Sequence, residues 1–111
     1  MDATPFPFRG RVVWLTPEQG GRTSGPPSAD GRYAANAFVP PETADTGLAS
    51  FVVRGVPSGE LTWAAEGRWL AVENTGPQRI QPGTVVVITE GPQPVGYFHV
   101  EQAGQRKNRL D

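Results

Sequence analysis

The sequence predicts an all-β domain, a small barrel or sandwich. Three observations predict it. Apolar and polar residues alternate over short runs. Those runs are rich in β-branched and aromatic residues. Glycine (14) and proline (12) are abundant and fall between the runs, so they mark turns rather than low complexity. A chain of 111 residues fits one domain with one modest core.

The elements follow in order. Residues 8–16 (FRGRVVWLT) place Phe8, Val12 and Trp14 on one face and Arg9 and Arg11 on the other. That period of two is a half-buried strand. Residues 33–39 form a second candidate, stopped by Pro40-Pro41. Residues 47–54 (GLASFVVR), 61–64 and 68–73 (RWLAVE) are the third, fourth and fifth. Residues 84–90 (TVVVITE) carry a β-branched run and are the clearest strand. Residues 95–102 (VGYFHVEQ) close the set. Gly20-Gly21, Asp30-Gly31, Ser58-Gly59, Gly76-Pro77, Pro82-Gly83 and Gly91-Pro92 supply the turns. Six or seven such strands suit a barrel or sandwich. A helix competes only over residues 61–70, and Trp63 and Gly67 argue against it. Residues 23–31 (TSGPPSADG) read as a polar loop and 104–111 as a frayed tail, which leaves a domain over residues 1–103.

Composition narrows the chemistry. The absence of cysteine excludes disulfides and thiolate metal sites. No run approaches the ~18 apolar residues of a membrane span, and residues 1–8 lack the pattern of a signal peptide. No membrane association and a cytoplasmic location are the default expectations. Net charge is −1, without the positive excess typical of proteins that grip nucleic-acid backbones, although a neutral total leaves room for a local basic patch. Nine of the ten basic residues are arginine. A biased genomic composition and a need for bidentate contacts to carboxylate or phosphate both account for that.

No catalytic constellation stands out. His99 is the only histidine and lies on an alternating strand, facing opposite to Phe98. The carboxylates are scattered one or two per loop, with no pair marked for acid–base work. Trp14, Trp63 and Trp69 read as core anchors, and an exposed Trp63 would instead mark a protein interface. Arg106, Lys107 and Arg109 make the tail locally basic, a solvated end or a weak grip on RNA.

One set of motifs resembles a known family. Residues 15–22 (LTPEQGGR) run from a strand into Gly20-Gly21-Arg22. Tyr33 and Phe38, then Asp45-Thr46-Gly47, Pro82-Gly83, and Ile88-Thr89-Glu90-Gly91 with Val95-Gly96 follow in order. This arrangement resembles the C-terminal, third domain of elongation factor Tu and related translational GTPases, over residues 8–102. The resemblance implies a closed six-stranded antiparallel Greek-key barrel. It also implies that Arg22, Thr23, Glu90 and Gly91 lie on the surface that meets aminoacyl-tRNA in that family. There are departures. The family's Tyr-Arg-Pro-Gln-Phe is Tyr33-Ala34-Ala35-Asn36-Ala37 here, and its companion Arg before Glu90 is Thr89. No G-x-x-x-x-G-K-[ST] phosphate loop occurs. The chain therefore looks like the third domain standing alone.

From residues alone, Gly20 and Gly21 turn the chain with positive φ, and Arg22 caps carbonyls or pairs with a carboxylate such as Glu18. The expected function is a non-enzymatic binding module without cofactor or metal. A protein partner, from translation or a regulator of it, comes first; tRNA held at the Arg22/Glu90 corner is the alternative; an enzyme with an unfamiliar site is third. The oligomeric state is left open.

Overall fold

The computed structural model describes residues 6–22, 32–41, 43, 47–55, 61–70, 80–91 and 93–103. Six strands form one closed antiparallel barrel: β1 (Phe8–Trp14), β2 (Arg32–Phe38), β3 (Ala49–Gly55), β4 (Thr62–Trp69), β5 (Val85–Glu90) and β6 (Gln93–Ala103). Their order around the barrel is β1-β4-β3-β2-β5-β6, with β6 returning to β1. A single 3-10 turn, Pro17–Gln19, is the only helical element among the described residues.

Seven predicted strands become six because the fourth and fifth are one. β4 runs unbroken through Gly67, and its burial alternates along its length. The helical alternative for residues 61–70 is thereby corrected. The reason lies across the barrel. A side chain at Gly67 would meet the Phe51 ring at 2.6 Å and the Phe98 ring at 2.9 Å. The glycine that interrupts the sequence pattern is the residue that makes room for two aromatic rings. Residues 71–73, the rest of the fifth candidate, lie outside the described residues. β1 stops at Trp14 rather than at residue 16, because Thr16 caps the 3-10 turn.

The interior divides into two aromatic groups. Trp14 packs edge-on against Tyr33 and Trp63, with ring centres 5.5 and 5.4 Å apart. Toward the other end, Phe51 packs against Phe8, Trp69 and Phe98. All three tryptophans are buried, Trp63 included. Edge-to-face pairs of this kind add to area burial, because the positive ring edge meets a negative ring face. Gly96 plays for Trp14 the part that Gly67 plays for Phe51, since a Cβ there would meet the indole at 2.7 Å.

The short ladder is β2 with β5. Only Asn36↔Thr89, Ala37↔Ile88 and Phe38↔Val87 pair across it. β1 with β6 has seven partners and one register shift, between Arg9 and Gly10. The β2–β5 seam is the place where closure is thinnest.

Overpacking a filled core typically costs ~1–3 kcal/mol. Gly67→Ala should therefore lower the denaturant midpoint by a corresponding amount at unchanged slope. An unaltered midpoint would mean that Phe51 and Phe98 can move aside.

Candidate functional site

The predicted corner assembles at one rim of the barrel. After β1, Thr16 and Gln19 form a reciprocal capping box: the Thr16 N–H donates to Gln19 Oε1 at 2.9 Å, and the Gln19 N–H donates to Thr16 Oγ1 at 3.2 Å. This gives the Thr16 N–H an acceptor and adds a second one to the Gln19 N–H, which also donates to the Thr16 carbonyl at 3.0 Å. Pro17 opens the turn and Gly20 closes it with φ 92°, a left-handed conformation natural to glycine. Gly21 does not share that φ. It is glycine because a Cβ would collide with the Leu15 carbonyl. Only the first of the two predicted positive-φ glycines is therefore one, and the second answers to a close approach. The turn is held against β6, with the Leu15 N–H donating to the Val95 carbonyl at 2.9 Å.

This geometry delivers Arg22 to the β5–β6 hairpin, 68 residues away in sequence. Its Nε donates to Glu90 Oε2 at 2.8 Å. The expected partner Glu18 is not the one used: Glu18 sits on the exposed 3-10 turn, whereas Glu90 ends β5 beside the arriving guanidinium. The Tyr33 hydroxyl donates to the same Glu90 oxygen, and the Arg22 guanidinium lies 5.2 Å from the Tyr33 ring centre. Gly91 follows, exposed, with φ 59°. Of the four predicted site residues, Arg22, Glu90 and Gly91 are brought together, and Thr23 lies outside the described residues. The missed member is Tyr33. The sequence places it on the second strand, but its reach to Glu90 depends on which strand β2 pairs with.

The trio is nearly neutral and half-buried, with side-chain exposures of 24% for Arg22 and 44% for Glu90. Burial, then the hydrogen bond and charge of Glu90, push the Tyr33 phenol far above the ordinary tyrosine value, while Arg22 only partly opposes them. Tyr33 is therefore a neutral donor and Glu90 a doubly engaged acceptor. The trio also continues the β2–β5 seam, because the backbone ladder ends at Asn36↔Thr89 and the side chains of Tyr33 and Glu90 join β2 to β5 beyond it.

Other candidates are placed differently. His99 is exposed on the outer face of β6, opposite Arg11. The Asp45-Thr46 pair and the basic tail lie outside the described residues. Among the described residues no group of three or more histidine, aspartate and glutamate side chains could hold a metal ion.

A raised phenol pKa has a defined pH consequence. The unfolded chain loses the proton near pH 10 and the folded chain only above that. Tyr33 thus contributes its full share of stability below about pH 10 and loses it as the pH rises further. Unfolding free energies measured from neutral to alkaline pH should fall at the alkaline end, and less steeply in Tyr33→Phe. Equal slopes in the two proteins would refute the assignment.

Comparison with family models, with curated proteins and with solved structures finds no match for this chain.

Proposed function

We propose that the chain is a non-enzymatic binding module, built as a Greek-key barrel of the kind that forms the third domain of elongation factor Tu, and that it engages a protein partner through the corner of Arg22, Tyr33, Glu90 and Gly91. The strand order supports the Greek-key reading, since β2, β3 and β4 form a meander and β1 returns to lie beside β4.

The single observation that carries the choice of partner is the charge balance of the corner. The Arg22 guanidinium already has a carboxylate at 2.8 Å. A phosphate would have to displace Glu90 and then tolerate its negative charge nearby. A protein surface faces no such obstacle. It can accept the fixed polar groups as they stand and lay a backbone against Gly91, which has no side chain to obstruct it. Polar groups locked on rigid strands cost little further ordering on binding. The histidine on the outer face of β6 favours binding over catalysis in the same way.

The test combines two measurements on wild type and Arg22→Ala. In a quantitative pull-down from the host's lysate, a translation component should be enriched by wild type and lost with Arg22→Ala. Titration with aminoacylated and uncharged tRNA at two salt concentrations should show no dependence on Arg22. Salt-steep tRNA binding that disappears in Arg22→Ala would overturn the protein reading in favour of RNA at this corner. A pull-down that is identical for both proteins would remove the corner from the interface.

A further inference from the structure

We infer that Leu48, Leu70 and Arg68, on the outer face of β3 and β4, dock a segment of another protein in which a leucine-sized apolar side chain stands beside a carboxylate. This surface lies away from the Arg22 corner. β2 leaves that corner at Tyr33 and reaches Ala37, opposite Ala49, where β3 begins.

Strand alternation builds the surface. Phe51 points into the barrel, so Ser50 points out, and so does Leu48 one step before the strand; exposure alternates from Leu48 to Phe51 accordingly. Trp69 points in, so Arg68 and Leu70 point out. Register then brings the leucines together. Phe51 pairs with Trp69, and the Leu70 N–H donates to the Ser50 carbonyl at 2.9 Å, which carries the ladder one step further. Leu70 therefore stands opposite Ser50, and Leu48 is its diagonal neighbour. Diagonal positions across an antiparallel ladder lie about 7–8 Å apart, close enough for long side chains to form one patch.

The patch is apolar and open to solvent. Leu48 is 39% exposed and Leu70 is 54% exposed. Among the described residues only one other large apolar side chain is exposed, Leu61, and it precedes β4 at the opposite end of that strand. A single exposed leucine needs no explanation, whereas two side by side mark a surface suited to a partner.

Arg68 supplies the charge. It is half-buried, two residues from Leu70 on the same face. Its Nη1 donates to the Trp69 carbonyl at a long 3.4 Å, and its Nε is buried without an acceptor. No carboxylate of the described residues forms an ion pair with it; Glu66, two residues before it, serves Arg54 at 2.7 Å and Arg9 at 3.7 Å. Phe6 lies 5.6 Å from the guanidinium, which steadies the cation without neutralising it. A guanidinium held in this way gains charge-assisted hydrogen bonds from a carboxylate that a partner brings.

The two features together select the occupant. A second copy of this chain would bring leucines, but also the same unneutralised Arg68 and a Glu66 already shared by two guanidiniums. A phosphate would satisfy Arg68 and leave both leucines in water. Surfaces that hold anionic lipid cluster about four or more cations, and this one has Arg68 alone uncommitted beside Glu66 among the described residues. The barrel is closed, so recognition here runs through side chains rather than through an added strand. An apolar side chain next to an aspartate or glutamate meets both features at once.

The experiment selects a random peptide library, displayed on phage, against the full chain, and then measures the enriched peptides, synthesised and labelled, by fluorescence anisotropy. Enriched peptides should combine leucine-type residues with a nearby carboxylate. Leu70→Ser, a change at an exposed position, should weaken them about tenfold or more. Replacing the peptide's carboxylate by its amide should cost a similar factor against wild type and nothing against Arg68→Gln, a coupling that a folding defect does not imitate. Arg22→Ala should leave every affinity unchanged. Failure to enrich any peptide, enrichment of peptides without carboxylates, indifference to Leu70→Ser, an equal amide effect in wild type and Arg68→Gln, or loss in Arg22→Ala would each overturn the inference. Two controls have the same force. Sedimentation that shows a dimer abolished by Leu70→Ser would make the occupant a second copy. Binding to phosphatidylglycerol vesicles that Leu70→Ser abolishes would make it a membrane.

Discussion

A six-stranded barrel has no free edges only if its last seam closes, and here that seam is β2 against β5. The backbone ladder spans Asn36 to Phe38 on one side and Val87 to Thr89 on the other. Thr89 adds a side-chain bond, its hydroxyl donating to the Asn36 carbonyl at 3.3 Å. Beyond that point Glu90 carries the closure by accepting from Tyr33 on β2 and from Arg22 at the end of the capped turn. An open seam would expose a row of backbone donors and acceptors to any passing strand. The Arg22–Tyr33–Glu90 cluster therefore has a structural duty that does not depend on any partner. The groups of the cluster are held from three separate elements, which is the rigidity that the docking role proposed for this corner requires.

The interior answers the same constraint of closure. A barrel this narrow has room for large rings only where facing positions are empty. Gly67 opposite Phe51 and Phe98, and Gly96 opposite Trp14, provide those spaces. The rings in turn fix the phase of the strands. With Phe8 inside, Arg9 must be outside; with Trp69 inside, Arg68 must be near the surface. The outward position of these arginines is the outer consequence of the aromatic core, since a one-residue slip would exchange the two faces.

The rim and the outer face of β1, β3 and β4 hold their arginines differently. At the rim, a single guanidinium meets a carboxylate and a phenol, and the charges cancel locally. On the outer face of β1, β3 and β4, Arg9 and Arg54 share Glu66, Arg11 pairs with Glu101, and the Arg68 Nε is buried with no hydrogen-bond acceptor among the described residues. Arginine can serve in both places because its planar fork binds a carboxylate within the chain as readily as an anion outside it. A formal charge of −1 conceals this division, because net charge averages over the whole surface.

Local pattern by itself determined the all-β class, the strands from β1 to β6 apart from one join, and the apolar face of β1. Alternation and turn chemistry act within a few residues, so they are legible without knowledge of the fold. The motif order also placed Arg22, Glu90 and Gly91 in one neighbourhood. Tertiary structure decided the rest. Gly67 reads as a break until Phe51 and Phe98 are seen to fill the space above it. Glu18 is the near carboxylate for Arg22 in sequence, yet Glu90 is the near one in space. Tyr33 joins the corner, and Arg9 and Arg54 meet the same Glu66, only because β4 lies between β1 and β3 and β2 lies beside β5. Strand order is a long-range property set by how six twisted strands can close around two groups of rings, and no window of the chain contains it.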